Sequence, residues 1–236
     1  QGSPRADHRG SRPGFVQVKT EQIETGPLWN LEPDDHLQRV LAAAGLRSGS
    51  ASHILIYDNI EITCGRNRSH LDASARLLMV LHYFGFSHAA IILDPGVGAS
   101  FGEELAAGPS APETGHPSRS VSRQGRWVPQ HSEDLVSYET MEGLLAGKLG
   151  PYRLLDARSA EEYAGLYTGY DYIPLAGRIP TSESVVNGDY QVSETEGLDA
   201  VLTRLAGALA GKGIDPADRI VWYCGTGWRA SRMWAL

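Results

Sequence analysis

The sequence predicts an α/β fold in which parallel β-sheets are flanked by helices. Short β-branched or aromatic runs, at residues 53–58, 89–93, 153–156 and 220–223, alternate with stretches of helical spacing. Such alternation is typical of open parallel sheets, because each crossover between parallel strands is usually a helix. The chain has 236 residues, of which 42% are hydrophobic and 21% charged, so it can form a substantial core.

Composition and charge argue against several classes of protein. The 28 acidic and 21 basic residues give a formal net charge of −7, so no nucleic-acid partner is expected. A membrane span needs about 20 apolar residues in a row, and the longest apolar runs here are far shorter. With only two cysteines and no charged-then-apolar leader, a cytoplasmic setting is expected. The cysteines and histidines lack zinc-site spacing, so no metal is expected.

Two helices and two strands are predicted in the first half of the chain. A helix begins after Pro33, because acidic residues follow it and apolar residues then recur at helical spacing. Residues 53–58 form a buried strand, and residues 73–84 form an apolar helix that Gly85 ends. A second buried strand over residues 89–93 ends at an Asp-Pro-Gly turn.

The second half shows the same alternation. The elements predicted there are a helix (138–149), a strand (153–156), a helix with Ser159 as N-cap and Glu162 at the capping-box position, a loop (165–187), a helix (198–209) and a strand (220–223). The last strand leads directly into a glycine-rich turn and a further helix.

Composition shifts divide the chain into four parts. We expect a flexible lead-in (1–26), a first domain (27–97), a linker rich in Gly, Pro and Ser (98–132) and a second domain (133–236). Since the chain starts at Gln1 and stops within an apolar helical pattern, we expect a piece of a longer protein.

The two domains repeat one pattern of helix, turn, strand, loop and helix. Asp58 falls in the place of Cys224, and Arg76 matches Arg232. The match favours a duplication and a structural role for both arginines. Cys64 lies in a polar loop away from any strand end and is interpreted as a bystander thiol.

Cys224 is the candidate nucleophile. It follows a buried strand and precedes a helix, where ligands bind in open α/β sheets and where helix N–H groups favour a thiolate. Gly225 and Gly227 allow successive amides to point inward, Thr226 offers a hydroxyl, and Arg229 adds a positive charge. The same surroundings would stabilise a persulfide. Trp228 is expected to pack rather than to react.

The length of this loop bears on its chemistry. Four residues separate Cys224 from Arg229, fewer than in cysteine-dependent phosphatases, and the smaller cradle suits a single terminal sulfur atom better than a phosphate. No histidine is placed near Cys224 by the pattern, as cysteine-protease chemistry would require. A phosphatase or an arsenate reductase remains an alternative.

Three motifs of the second domain resemble those of rhodanese-type sulfurtransferases. They are the loop Cys224-Gly-Thr-Gly-Trp-Arg229, the stretch 154–163 (LLDARSAEEY) and Gly177-Arg178-Ile179-Pro180, although Thr181-Ser182 replaces the family's Gly-Ala. Residues 37–97 are similar to the later half of a catalytically silent rhodanese domain. The resemblance implies tandem rhodanese-like domains, each a parallel sheet flanked by helices, with the first incomplete at its N-terminus and the second lacking its last strand.

The resemblance also implies an activity. Cys224 would take a sulfane sulfur from thiosulfate or polysulfide and pass it to a thiol, cyanide or imidazole acceptor, with no cofactor. Residues 163–180 are similar to multidomain rhodaneses that include the ergothioneine-forming enzymes, whose acceptor is hercynine. The active-site tyrosine and the loop threonine of those enzymes fall on Tyr170 and Thr226. A silent rhodanese-like binding module is a further alternative.

Four residues are assigned supporting roles, each with an alternative. Asp156 and Arg158 brace the cysteine loop or form a plain ion pair. Arg178 meets an anionic donor or is a solvated loop residue. Tyr170 lines the acceptor pocket or packs as a loop aromatic. A fifth residue, Arg229, docks anions and closes the loop, or is a surface arginine that pairs with a carboxylate.

Overall fold

A computed structural model describes residue 16 and residues 18–49, 53–57, 70–93, 126–192 and 196–236. The strands in these residues are β1 (Glu24–Thr25), β2 (Asn30–Leu31), β3 (Ile54–Ile56), β4 (Ala89–Ile91), β5 (Arg153–Asp156), β6 (Glu183–Ser184) and β7 (Ile220–Tyr223). The α-helices are α1 (Asp34–Ala43), α2 (His70–Tyr83), α3 (Tyr138–Leu145), α4 (Ala160–Ala164), α5 (Leu198–Gly211) and α6 (Trp228–Ala235). Asp58 and Cys64 lie outside the described residues.

Two of the sheets are parallel, which confirms the predicted α/β class. Strands β3 and β4 pair in parallel, and β5 lies between β6 and β7, parallel to both. Leu155 at the centre of β5 pairs with Glu183 on one side and Trp222 on the other. A separate antiparallel pair, β1 with β2, precedes α1. No described helix is long and apolar enough to cross a membrane.

The first core lies between α1, α2 and the β3–β4 sheet. Trp127, from the end of the predicted linker, is buried in it and packs edge-on to Phe84 and Phe86, with ring centroids 5.7 and 5.6 Å away. Its backbone N–H donates to Oε1 of Gln38 across 3.0 Å. Ile23, from the predicted lead-in, is buried in the same core. Both segments are therefore anchored where they meet the first core.

The second core covers the β6–β5–β7 sheet. Leu155 from the sheet packs with Val201 and Leu205 of α5 and with Met233 of α6. These positions match the apolar stripes of two amphipathic helices, so burial of the stripes holds the helices on the sheet. Leu155 is fully buried at this contact between the sheet and its helices.

Helix α2 packs against α6 and so joins the two cores. Ser231 of α6 donates a hydrogen bond to the sulfur of Met79 at 3.4 Å. Arg232 of α6 forms an ion pair with Asp72 of α2 at 3.2 Å. Because α6 begins at the glycine-rich turn, this packing brings α2 next to that turn.

The segment predicted as a loop over 165–187 contains the edge strand β6. A two-residue strand has too little alternation to be recognised in the sequence. The turn after Pro180 is built around Thr181, which adopts a φ of 69°. The Ser182 hydroxyl donates to the carbonyl of Ile179 across 2.8 Å and closes the turn. Thr181 and Ser182 stand where the rhodanese-type motif has Gly-Ala, and the hydrogen bond of Ser182 closes the turn here.

Candidate active site

Cys224 lies at the carboxyl edge of the three-stranded sheet, immediately after β7. We call residues 224–229 the cysteine loop. The backbone N–H of Gly227 donates to Sγ of Cys224 across 3.1 Å. Gly227 has a φ of 87°, in the left-handed region that favours glycine, and this turn aims its amide at the sulfur. The predicted inward-facing amide is therefore present at Gly227.

Two tyrosines hydrogen-bond to the backbone of Gly225, one to its N–H and the other to its carbonyl. The N–H of Gly225 donates to Oη of Tyr170 at 3.1 Å, and Oη of Tyr172 donates to the carbonyl of Gly225 at 3.3 Å. The Tyr170 ring lies so close to Gly225 that a Cβ there would overlap it. The two rings are tilted, with centroids 5.5 Å apart. Tyr170 and Tyr172 thus both contact the cysteine loop.

Arg229 closes the loop through a two-pronged ion pair with Glu162. Its Nη1 and Nη2 donate to the two carboxylate oxygens at 2.7 and 2.8 Å, and Nη2 also donates to Oη of Tyr170. Burial acts to lower the pKa of Arg229, but the hydrogen bonds that it donates to Glu162 and Tyr170 outweigh burial, so this pKa is raised. The guanidinium is therefore committed to loop closure, and docking of an anion by Arg229 remains a prediction.

Asp156 and Arg158 support the end of β7. Nε and Nη2 of Arg158 donate to Asp156 at 2.9 and 2.7 Å, and Oη of Tyr223 donates to the same carboxylate at 2.6 Å. Burial, and then the hydrogen bond to Asp156, raise the pKa of Tyr223 to about 12, so it stays a neutral donor. The pair therefore acts on the residue that precedes Cys224, through the hydroxyl of Tyr223.

Arg178 and Thr226 make contacts of different kinds. The Arg178 guanidinium lies 4.5 Å from the ring centre of Tyr163 and donates to that residue's carbonyl at 3.2 Å. These contacts do not reach the cysteine loop, so a meeting with an anionic donor stays a prediction. The hydroxyl of Thr226 accepts a long bond, 3.5 Å, from the N–H of Trp228, which places it at the first turn of α6.

Residues from the first core reach the site, which the sequence did not indicate. The guanidinium of Arg76 on α2 lies against Gly227, where a Cβ would overlap its Nη1. Glu24 of β1 binds Nε of Arg76 at 3.3 Å and also accepts from the indole N–H of Trp228. The repeat pattern indicated a structural role for Arg76, but no local signal placed it at the loop. Glu162 was recognised only as a helix cap.

One group of side chains in the described residues has the composition of a metal site. The ligand atoms of His82, His131 and Asp134 lie within 4.8 Å of one another. The two imidazole rings are stacked, with centroids 4.2 Å apart and planes only 15° from parallel. A metal ion binds imidazole in the plane of the ring, and stacked rings do not share such a point. This geometry fits packing against Trp234, whose ring centroid lies 5.1 Å from that of His82.

Fold and site together define an α/β domain with a strand-end cysteine held by a short glycine loop. Residues 140–236 match the family model of the rhodanese-like domain. The chain is 26% identical over 239 residues to the thiosulfate sulfurtransferase YnjE of Escherichia coli (strain K12), covering 98% of this chain and 50% of that protein. That relative is a transferase by its name.

Solved structures share the fold over nearly the whole chain. The wild-type structure of EanB matches with a TM-score of 0.70 and 22% identity, over 94% of this chain and 52% of that one. The anaerobic ergothioneine biosynthesis enzyme from Chlorobium limicola, bound to trimethyl histidine, matches with a TM-score of 0.71 and 22% identity, over 94% and 53%. The chain thus spans about half the length of the relatives it matches.

Proposed function

We propose that this chain is the sulfur-carrying part of a sulfurtransferase and that Cys224 holds the sulfur as a persulfide. The observation that carries the proposal is the hydrogen bond of 3.1 Å from the Gly227 amide to Sγ of Cys224. An amide aimed at the sulfur from the start of a helix stabilises negative charge there. Cys224 is also partly exposed, so a donor can reach it.

The proposed reaction has two balanced steps. The Cys224 thiolate attacks the outer sulfur of thiosulfate, an S–S bond forms, and sulfite leaves with the electron pair of the broken bond. With polysulfide as donor, a shorter polysulfide leaves instead. A nucleophilic acceptor then attacks the outer sulfur of the persulfide, and the Cys224 thiolate is released. This covalent route needs no cofactor and predicts ping-pong kinetics.

One specific candidate for the acceptor is hercynine. The hydroxyls of Tyr170 and Tyr172 both bond to the backbone of Gly225, next to the cysteine, and aromatic faces attract quaternary ammonium groups. The structurally similar Chlorobium limicola enzyme was solved in complex with trimethyl histidine, which is its natural substrate. In this case the imidazole carbon of hercynine would lose its proton to solvent and bond to the outer sulfur of the persulfide, while the S–S bond breaks and the Cys224 thiolate leaves.

We further propose a division of labour along the chain. Residues 133–236 would carry out catalysis, and residues 27–97 would form a rhodanese-like domain without a cysteine at the place of Asp58. The low number of cysteines favours a reducing compartment such as the cytoplasm.

Mass spectrometry after treatment with thiosulfate or polysulfide tests the proposal. A persulfide adds about 32 Da, and we expect this mass on the Cys224 peptide and its loss on addition of cyanide. Cys224→Ser should lose the label and sulfur transfer, whereas the matched variant Cys64→Ser should keep both. An unlabelled Cys224 would favour the silent binding module. Hydrolysis of an aryl phosphate without sulfur transfer would favour the phosphatase.

A further inference from the structure

Arg76 is the cation from the first core that lies against the cysteine loop. It belongs to α2, outside the rhodanese-like domain of residues 140–236, and only 7% of it is exposed. Its guanidinium fills the space beside Gly227 that a Cβ would need. Gly227 is the residue whose amide holds Sγ of Cys224. Arg76 therefore contacts the residue that donates the hydrogen bond to the sulfur of Cys224.

Glu24 fixes the position of this guanidinium. The glutamate is fully buried, and one of its carboxylate oxygens accepts from Nε of Arg76 at 3.3 Å. Its other oxygen accepts from the indole of Trp228, the first residue of α6. Nη2 of Arg76 makes a long bond of 3.5 Å to the carbonyl of Trp29. With these contacts on one side, Nη1 faces Gly227.

The other cations near the loop are already paired. Arg229 is bound by Glu162 through both terminal nitrogens, and Arg158 is bound by Asp156. Within the part of the chain that the structure describes, the charged and titratable groups around the thiol are Arg76, Tyr170, Tyr172 and Arg229, with Glu24 behind Arg76.

The electrostatic coupling of Arg76 to Cys224 is direct. Burial lowers the pKa of Arg76, and the negative charges of Glu24 and then of Cys224 act in the opposite direction. Arg76 and Cys224 are therefore close enough for their charges to interact. The pair of Arg76 with Glu24 is 3.3 Å long, longer than the 2.7 Å pair of Arg229 with Glu162.

We propose that Arg76 is a positioning residue for Cys224, supporting the Gly227 amide and supplying positive charge that favours a thiolate or persulfide anion. The inference deepens the proposed function and rests on it, because it assigns part of the same site to the residues before the rhodanese-like domain. Residues that precede the rhodanese-like domain would then form part of the site around Cys224.

Alkylation by iodoacetamide measures the thiolate of Cys224 without any sulfur donor. In a Cys64→Ser background, the rate is followed by mass spectrometry from about pH 5 to pH 10. We expect Arg76→Met to move the rising limb to higher pH and to slow alkylation at pH 7 at least about three-fold. Glu24→Gln removes a negative charge but keeps Arg76 and an acceptor for it, so it should slow alkylation less than Arg76→Met does. Arg39→Met, in an exposed pair on α1, is the matched control and should change nothing.

The pattern across variants separates electrostatic support from folding effects. The double variant Glu24→Gln/Arg76→Met leaves no unpaired buried charge and should alkylate as slowly as Arg76→Met. An unchanged pH profile in either folded variant that lacks Arg76 would overturn the inference, as would equal slowing by Arg76→Met and Glu24→Gln. If the parent chain forms no persulfide but the variants show the expected profiles, the proposed function fails while the role of Arg76 stands.

Discussion

Glu162 binds Arg229 through hydrogen bonds of 2.7 and 2.8 Å, and the same carboxylate accepts from the N–H of Ser159 at 3.0 Å. One acidic side chain thus caps the first turn of α4 and closes the cysteine loop. Burial acts to raise the pKa of Glu162, but the hydrogen bonds from Arg229 and from Ser159 outweigh it and lower this pKa. The motif over residues 154–163 is therefore linked to the cysteine loop through the carboxylate of Glu162.

Glu162→Gln should lower the free energy of unfolding by about 2 kcal/mol at pH 7. The variant removes one charge of a pair whose glutamate side chain is only 3% exposed, and hydrogen bonds to charged groups contribute at this scale. Urea denaturation of the chain measures the change. Glu161→Gln is the matched control, because Glu161 is the exposed neighbour in the same helix, and it should cost less than about 0.5 kcal/mol. Equal losses would contradict a special role for the pair.

The pH dependence of stability should differ in sign between Glu162 and Glu24. The pKa of Glu162 is lowered in the folded state, so its stabilising effect is present above its ordinary value of 4.5 and disappears as the pH falls through the folded value. The stability difference between the parent and Glu162→Gln should therefore shrink as the pH falls below about 4.5.

Glu24 should show the opposite trend. Burial raises its pKa above the ordinary value of 4.5, although the charge of Arg76 acts against this rise. The contribution of Glu24 to the free energy of unfolding is fully present below pH 4.5 and is lost as the pH rises through its pKa in the folded state. Glu24→Gln should thus gain stability relative to the parent as the pH rises from acid to neutral. Urea denaturation at several pH values measures both slopes, and parallel slopes for the two variants would refute this assignment.

Gly225→Ala should damage the site, because the added Cβ would overlap the Tyr170 ring. We expect a loss of about 2 kcal/mol in the free energy of unfolding, as overpacked sites show, together with at least ten-fold slower persulfide formation. Gly207→Ala is the matched control. Gly207 lies within α5 with open space around its Cα, so alanine there should stabilise the helix by up to about 1 kcal/mol. Equal effects at both positions would show that the ring does not constrain Gly225.

Local patterns explain how much of this arrangement could be predicted. The strand that ends just before Cys224 and the capping box of Ser159 with Glu162 depend on neighbours in the sequence, and both are present. The contact between Arg76 and Gly227 depends on how α2 packs on α6, which no local pattern encodes. Such contacts follow from tertiary packing, so the sequence alone placed Arg76 only at a repeat position.

The repeat position does acquire a meaning once the helices are packed. Arg76 of α2 reaches the N-terminus of α6, and Arg232 of α6 reaches Asp72 near the N-terminus of α2. The two arginines matched in the sequence therefore make reciprocal contacts across one helix pair. Of the two, Arg76 lies at the loop of Cys224, whereas Arg232 also donates to the carbonyl of Asn187 and is buried in the second core.

Tyr170→Phe isolates the contribution of a single oxygen atom to the cysteine loop. The ring that packs on Gly225 remains, but the Gly225 amide and Arg229 both lose the acceptor that Oη provides. Burial and the charge of Cys224 raise the pKa of Tyr170, so at neutral pH this oxygen is that of a neutral phenol. Losing one acceptor for a charged donor is worth about 1.5 kcal/mol, so kcat/KM for sulfur transfer should fall about ten-fold. Tyr163→Phe, which removes only a bond to the carbonyl of Ser182, should transfer sulfur at the parent rate, and equal losses in the two variants would place the effect in general stability.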